Sequence, residues 1–304
     1  MPCLFGTLTS QRYHWEGIIR VIAEVEGIAD YSSLSQNKRR ELVNKYPLFV
    51  AWYSAVRLEL CLKTVVVPIF GAHAYVAVFE WSPTGGMVHL HYILWKAGAP
   101  RFDVRAEKLT EDRARLRKAG WVCGQEVTCK IDDLVDFFSE YINEWNPNKT
   151  EDGTEETSHV AERVNQALPQ TASLSSQEML RLLEPGSEQA LVDYYKRAVR
   201  TEHLHDFHHP DPMGPPNPSQ PCAQLLQGTT NMWYCKNGYP REVTPEICQQ
   251  CVAQDALRPE LWRVNLCRNC PLMNGHMPLA TVFCQSNTDG AAVLTRLQGD
   301  MYCC

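Results

Sequence analysis

The chain has 304 residues, enough for one large domain or two modest ones. Hydrophobic residues make up 44% and charged residues 21%, an ordinary globular composition, and a formal net charge of −6 excludes a polycation that coats nucleic acid. No apolar run approaches the ~18 residues of a membrane span, and Met1–Arg12 lacks the charged-then-apolar layout of a secretory signal.

Residues 1–147 alternate β-like and helical patterns, which predicts an α+β core. Phe5–Thr9 reads as a short strand, and Gly17–Ala29 as a helix with apolar positions at Ile18, Ile19, Val21, Ile22 and Val25. A second helix is expected over Gln36–Leu60, interrupted near Pro47. Thr64–Pro68 and Ala74–Trp81 are rich in β-branched and aromatic residues and read as strands. The Pro-Thr-Gly-Gly stretch at Pro83–Gly86 then turns the chain into a further strand, Met87–Trp95, so 74–95 is expected to be a hairpin.

Residues 148–200 read as an acidic linker with short helices around Ser158–Ala167 and Ser175–Leu183. Residues 201–304 are rich in His, Pro and Cys with little periodicity, the pattern of a segment ordered by metal rather than by a large core. There is no internal repeat and no phosphate-binding loop of the Walker kind. Of thirteen cysteines, four lie in the first 221 residues and nine in the remainder. An odd count without a signal peptide argues against a secreted disulfide framework. It fits a reducing, intracellular compartment and metal binding.

Four groups of residues carry candidate chemistry. Within Met87–Trp95, His89 and His91 share one face of the strand while Val88, Leu90 and Tyr92 share the other. Two such imidazoles can hold one cation, with Glu80 or Ser82 of the preceding strand as an oxygen ligand. That donor set suits Mg²⁺ or Mn²⁺. They can equally be ordinary polar-face histidines of an amphipathic strand. Cys248-x-x-Cys251 and Cys267-x-x-Cys270, fifteen residues apart, have the spacing of a structural zinc site, against a redox pair or unrelated buried thiols. A looser set, His203, His205, His208, His209, Cys222 and Cys235, offers a second zinc site, for which His205, His208, Cys222 and Cys235 are the candidate ligands. Finally, Arg101, Arg105, Lys108, Arg113, Arg115, Arg117 and Lys118 outnumber the acidic residues among them by three. This basic run is a candidate phosphate-backbone contact or a solvated helix face.

Set in order, these segments resemble the Rep-type nuclease domain of Helitron transposons, the Helitron helicase-like domain. It belongs to the HUH endonucleases, named for a His-hydrophobe-His metal motif. Leu4-Phe-Gly-Thr-Leu-Thr-Ser10 is similar to the family's first motif, and Tyr13-His-Trp15 matches the residues next to that motif in the family. Val67–Gly71 through Phe79–Trp81 resembles the lead-in to the hairpin. Gly86–Trp95 resembles the metal motif, and Gly98–Pro100 with Asp103 its continuation. Phe138 to Pro147 is similar to the family segment ending in Asn-Pro, and Cys222 with Cys235–Arg241 resembles its Cys … Cys-x-Lys-x-Phe-Pro element. The likeness runs collinearly over nearly the whole chain. It is specific in the metal motif and the Cys-Lys-x-Gly-Tyr-Pro stretch and diffuse between them.

The resemblance implies an antiparallel Rep-type nuclease core over residues 1–147 flanked by helices. It implies a divalent cation held by His89, His91 and Glu80 or Ser82, and cleavage and rejoining of single-stranded DNA by a tyrosine that becomes 5′-phosphotyrosine. Tyr302-Cys-Cys304 matches the start of the family's Tyr-x-x-Lys-Tyr-x-x-Lys motif, so Tyr302 is the expected nucleophile. The second tyrosine and the lysines would lie beyond residue 304, which makes this a truncated copy by expectation. Relatives carry Glu-x-Gln and Arg-Gly where this chain has Glu80-Trp-Ser82 and Gly85-Gly86. A helicase domain is the expected partner of the full-length relative, and the nucleus the expected location. The alternative is a catalytically inactive, zinc-stabilised remnant that binds nucleic acid or protein.

Overall fold

The computed structural model describes residues 3–81, 87–100, 131–149, 174–205, 222–235, 238–241 and 266–293, with short stretches at 215–216, 218, 243, 252–254 and 262–264. The architecture is α+β. Strand β1 (Leu4–Thr9) is followed by helices α1 (Glu16–Val25), α2 (Gln36–Lys45) and α3 (Pro47–Cys61). In α1 the buried positions Ile18, Ile19, Ile22 and Ala23 form one stripe. The helix ends where Gly27 takes a left-handed φ of 69° and Ile28 N–H reaches back 2.8 Å to the Ala23 carbonyl, a Schellman closure. The Ser35 hydroxyl accepts from Lys38 N–H and caps α2, and Pro47 opens α3, so the expected interruption falls where proline is tolerated, in the first turn of a new helix.

The strand expected over Thr64–Pro68 is helical instead. A π-helical turn (Leu62–Val66) continues α3 into a short helix, α4 (Val67–Phe70), which Gly71 closes with a φ of 68°. The physical reason is packing. Leu62, Val66 and Phe70, four residues apart, are all buried in the main core, and that stripe outweighs the strand preference of Thr64 and the valines.

Strands β2 (Ala74–Trp81) and β3 (Val88–Trp95) pair antiparallel, as the hairpin reading predicts, and Ser175 caps a short helix (Ser176–Leu182) through a reciprocal capping box. The helix expected over Ser158–Ala167 lies outside the described residues. In chain order the other elements are α5 (Ile131–Ser139), α6 (that Ser176–Leu182 helix), α7 (Glu188–Glu202), β4 (Ala223–Leu225), β5 (Trp233–Cys235), β6 (Val252–Gln254), β7 (Trp262–Val264), α8 (Pro278–Cys284) and β8 (Asn287–Ala292). No helix among the described residues is long and apolar enough to cross a membrane.

The sheet has the order β2-β3-β1-β8 and is antiparallel throughout. Its last strand therefore comes from the Cys/His-rich region and docks on the first strand of the chain. One face, built from Leu4, Leu8, Val88, Leu90, Tyr92 and Leu94, is buried against the helices in the main core. Burying six such side chains removes roughly 10 kcal/mol of apolar exposure before the entropy of ordering them is counted. A second, smaller cluster holds Val199, Cys222, Cys235, Tyr239, Cys270, Leu272 and Met273. Glu144 joins the two regions, with its carboxylate 2.5 Å from the buried Arg268 guanidinium and 3.8 Å from Arg241.

Candidate metal centre

The alternation of β3 decides which side chains face away from the helices. Leu90 and Tyr92 go into the core, so His89 and His91 stand on the opposite face, where both are half-buried. Strand register then fixes their neighbours. Val78, His91, Thr7 and Asp289 form one row across the four strands, and Glu80, His89, Thr9 and Asn287 form the next.

Each imidazole is held by a threonine directly opposite. His91 Nδ1 lies 3.0 Å from Thr7 Oγ1, and His89 Nδ1 lies 3.1 Å from Thr9 Oγ1. With Nδ1 engaged, Nε2 of each ring is the nitrogen left to bind something else, the arrangement by which proteins orient metal-ligating histidines. The rings lie 6.2 Å apart and nearly parallel, and Phe5 stacks on the far side of His91 at 5.7 Å. Glu80 reaches diagonally across the hairpin, and its Oε2 sits 2.6 Å from His91 Nε2. Burial, and then the neighbouring His91, lower the pKa of His89, while Glu80 opposes that shift. His89 is thereby kept as the neutral, ligand-competent imidazole near neutral pH.

Two imidazoles and one carboxylate on one sheet face are the right donor types for a divalent cation, although their three donor atoms do not lie within 4.8 Å of one another as they stand, and binding would draw the side chains together. Of the two candidate oxygen ligands, Glu80 is in contact with His91, and Ser82 lies outside the described residues. Two further polar residues share this face. Asp289 is half-buried, and burial pushes its carboxyl up to about 6 against the opposing influence of Arg241 and His91. Asn287 Oδ1 is buried without a hydrogen-bond partner.

Thr7 and Thr9 were in plain view as the two threonines of Phe-Gly-Thr-Leu-Thr, and period-two alternation puts them on one face. Asp289 and Asn287 carried no comparable signal. Asn-Thr-Asp-Gly-Ala-Ala is poor in strand-forming residues, and only its pairing with β1 reveals it as a strand.

The second candidate set converges in part. His205 Nε2, Cys222 Sγ and Cys235 Sγ lie within 4.8 Å of one another, with Cys235 Sγ 3.3 Å from His205 Nε2. His203 instead turns into the protein. Its Nε2 is 2.9 Å from Thr281 Oγ1 and its ring stacks on His276 at 4.4 Å. Of the paired Cys-x-x-Cys motifs, Cys270 is buried in the smaller cluster and Cys267 is half-buried, its thiol pushed up by burial. The short strands β6 and β7 pair with each other between the two motifs. Cys248, Cys251, His208, His209, Tyr302 and the basic run Arg101–Lys118 lie outside the described residues. No family model, no curated protein and no solved structure matches the chain.

Proposed function

We propose that the His89/His91/Glu80 face is the cation site of a DNA-nicking and joining domain of the HUH type, acting on single-stranded DNA. The observation that carries this reading is the pair of threonine-anchored imidazoles beside a carboxylate, on the face of an antiparallel sheet opposite the main core. Strand-face histidines that only cover a sheet have no need of two matched Nδ1 anchors. A Mg²⁺ or Mn²⁺ ion bound there would polarise the scissile phosphate and stabilise charge developing on phosphorus.

The chain's own groups do the rest. Thr7 and Thr9 fix the ring orientations, and Glu80 places a negative charge beside the two neutral donors. Arg241, close enough to Asp289 to lower its pKa, supplies a positive charge near the β8 edge of the same face. In the proposed reaction Tyr302 Oη attacks phosphorus, giving up its proton, and the bond from phosphorus to the 3′ oxygen breaks. The products are a 5′-phosphotyrosine and a 3′-hydroxyl that takes up a proton.

The experiment incubates the protein with labelled single-stranded DNA and Mn²⁺, with electron paramagnetic resonance reading Mn²⁺ binding in parallel. Expected are a covalent protein–DNA adduct lost in Tyr302→Phe, and loss of both adduct and Mn²⁺ binding in His89→Ala/His91→Ala. Mn²⁺ binding unchanged in that double variant refutes the site. Mn²⁺ binding without any cleavage refutes the nuclease reading and leaves a DNA-binding remnant.

A further inference from the structure

We propose that His205, Cys222 and Cys235 bind a zinc ion that clips the β4–β5 hairpin to the end of α7, at a centre separate from the His89/His91 face. The three donors come from two distant places and still meet. Cys222 immediately precedes β4 and Cys235 ends β5, and the pairing of Ala223 with Cys235 sets both thiols at the same end of the ribbon. His205 follows α7, where its backbone N–H donates to the Leu272 carbonyl at 2.8 Å and its ring stacks on Tyr239 at 4.3 Å. Beyond Cys235 the chain turns tightly, with Gly238 N–H donating to the Cys235 carbonyl at 2.9 Å and Gly238 at a φ of 71°.

Distance and chemistry both select the ion. Tetrahedral zinc with bonds of about 2.3 Å to sulfur and about 2.0 Å to nitrogen holds its donors about 3.5–3.8 Å apart. The Cys235–His205 separation of 3.3 Å and the 4.8 Å limit on the whole set are within a small side-chain adjustment of that. Cys222 and Cys235 are thiols rather than disulfides, buried among apolar side chains. Two soft sulfur donors with one imidazole favour zinc over the magnesium or manganese suited to the other site. On binding, each thiol releases its proton to solvent and His205 binds as the neutral imidazole, so two protons leave per zinc. Water can take the fourth position of the tetrahedron.

The clip has a structural consequence that reaches the sheet. The segment after Cys270 is laced to the same place: Leu204 bridges Met273, Asn274 N–H donates to the His203 carbonyl, and Arg241 N–H donates to the Pro271 carbonyl. That segment leads directly into α8 and β8. An ion at Cys222/Cys235/His205 thus holds the support on which the outer strand of the sheet rests.

The test measures zinc per chain in the intact protein and in Cys222→Ser, Cys235→Ser and the double variant. Each single variant should lose the same single equivalent, and the double variant no more than either single one. X-ray absorption at the zinc edge of the unmutated protein gives a readout independent of whether a variant folds. It should show a nitrogen shell at about 2.0 Å beside sulfur at about 2.3 Å. Protein without zinc, zinc ligated by sulfur alone, or zinc content unchanged in the double variant would overturn the proposal. Zinc content should stay the same in His89→Ala/His91→Ala, so failure here and failure of the nicking reading are told apart.

Discussion

Replacing Gly6 by alanine tests whether β1 and β3 are packed as closely as the candidate site requires. Gly6 pairs with Tyr92 across the two strands, and the Tyr92 ring lies over the glycine. A Cβ added at Gly6 would overlap Tyr92 Cζ and its hydroxyl oxygen and stand 2.6 Å from Cε2, where ordinary contact begins near 3.4 Å. The ring would have to shift by about 1 Å, yet Tyr92 is fully buried and its hydroxyl donates to Met277 Sδ at 3.3 Å. Forcing one extra methyl into such a site costs about 3 kcal/mol, the top of the usual overpacking range. The smaller unfolded-state entropy of alanine returns somewhat less than 1 kcal/mol. The net expectation is a loss of about 2 kcal/mol, or about 4–8 °C in Tm for a domain of this size. Circular dichroism melts and urea titrations of Gly6→Ala, Tyr92→Leu and the double variant form the assay. Removing the ring should remove most of the alanine penalty, so the two changes must be strongly non-additive. A wild-type Tm for Gly6→Ala, or strict additivity in the double variant, would refute the packing argument.

Two further outcomes concern the threonine anchors and the buried histidines. Thr7→Val deletes the oxygen 3.0 Å from His91 Nδ1, and Thr9→Val deletes the one 3.1 Å from His89 Nδ1. Each should weaken Mn²⁺ binding about 10–100-fold in a paramagnetic resonance titration while Thr→Ser at either position changes it little; equal affinity in the valine variants would show that the threonines do not orient the rings. His276 is buried with its pKa lowered from 6.5 to about 4, chiefly by desolvation, and the buried His203 stacked on it is lowered well below 6.5. Both rings are neutral when folded, so the unfolded chain takes up the protons: stability is full above pH 6.5 and is lost as pH falls towards 4, by up to about 3 kcal/mol from His276 alone. Asp289, raised from 3.8 to about 6, acts in the opposite sense, its stabilising share present below 3.8 and lost as pH rises to 6. The two histidines outweigh it, so the urea midpoint should fall between about pH 7 and about pH 5, and a midpoint that is flat or rises would contradict their buried, neutral state.

The parts of the fold legible in the sequence are those where one periodicity is strong and local. β1 and the β2–β3 hairpin alternate with period two, and Pro47 marks the break between α2 and α3 because proline fits a first turn. The Thr64–Pro68 segment misleads because its β-branched residues favour a strand, while the burial of Leu62, Val66 and Phe70 depends on neighbours far away in sequence. At the candidate site, His89 and His91 announce themselves by spacing. Glu80 and Ser82 are both offered by the sequence as oxygen ligands, and hairpin register brings Glu80 diagonally to His91. Thr7 and Thr9 read as strand residues, and their role appears only when β1 is seen beside β3. Cys222 and Cys235 stand out as a pair, but His203 and His205 look alike in sequence. The course of the backbone after α7 sends His203 into the core and His205 to the thiols.

The strand order β2-β3-β1-β8 also governs when the sheet can be completed during synthesis. β1 and the hairpin leave the ribosome early, yet the hydrogen-bonding partner of the outer edge of β1 is made nearly two hundred residues after β3. Until Asn287–Ala292 arrives, that edge presents unpaired amides and carbonyls next to apolar surface, the condition under which nascent chains pair with the wrong strand. Long-range closure of this kind is slow. The opposite edge, β2, has no further strand partner among the described residues, and Val76, Val78 and Trp81 on it are about half exposed. A nascent or truncated form ending before β8 would therefore expose β1, an inner strand of the complete sheet, as an edge beside the apolar face, and its dependence on chaperones should exceed that of the complete sheet.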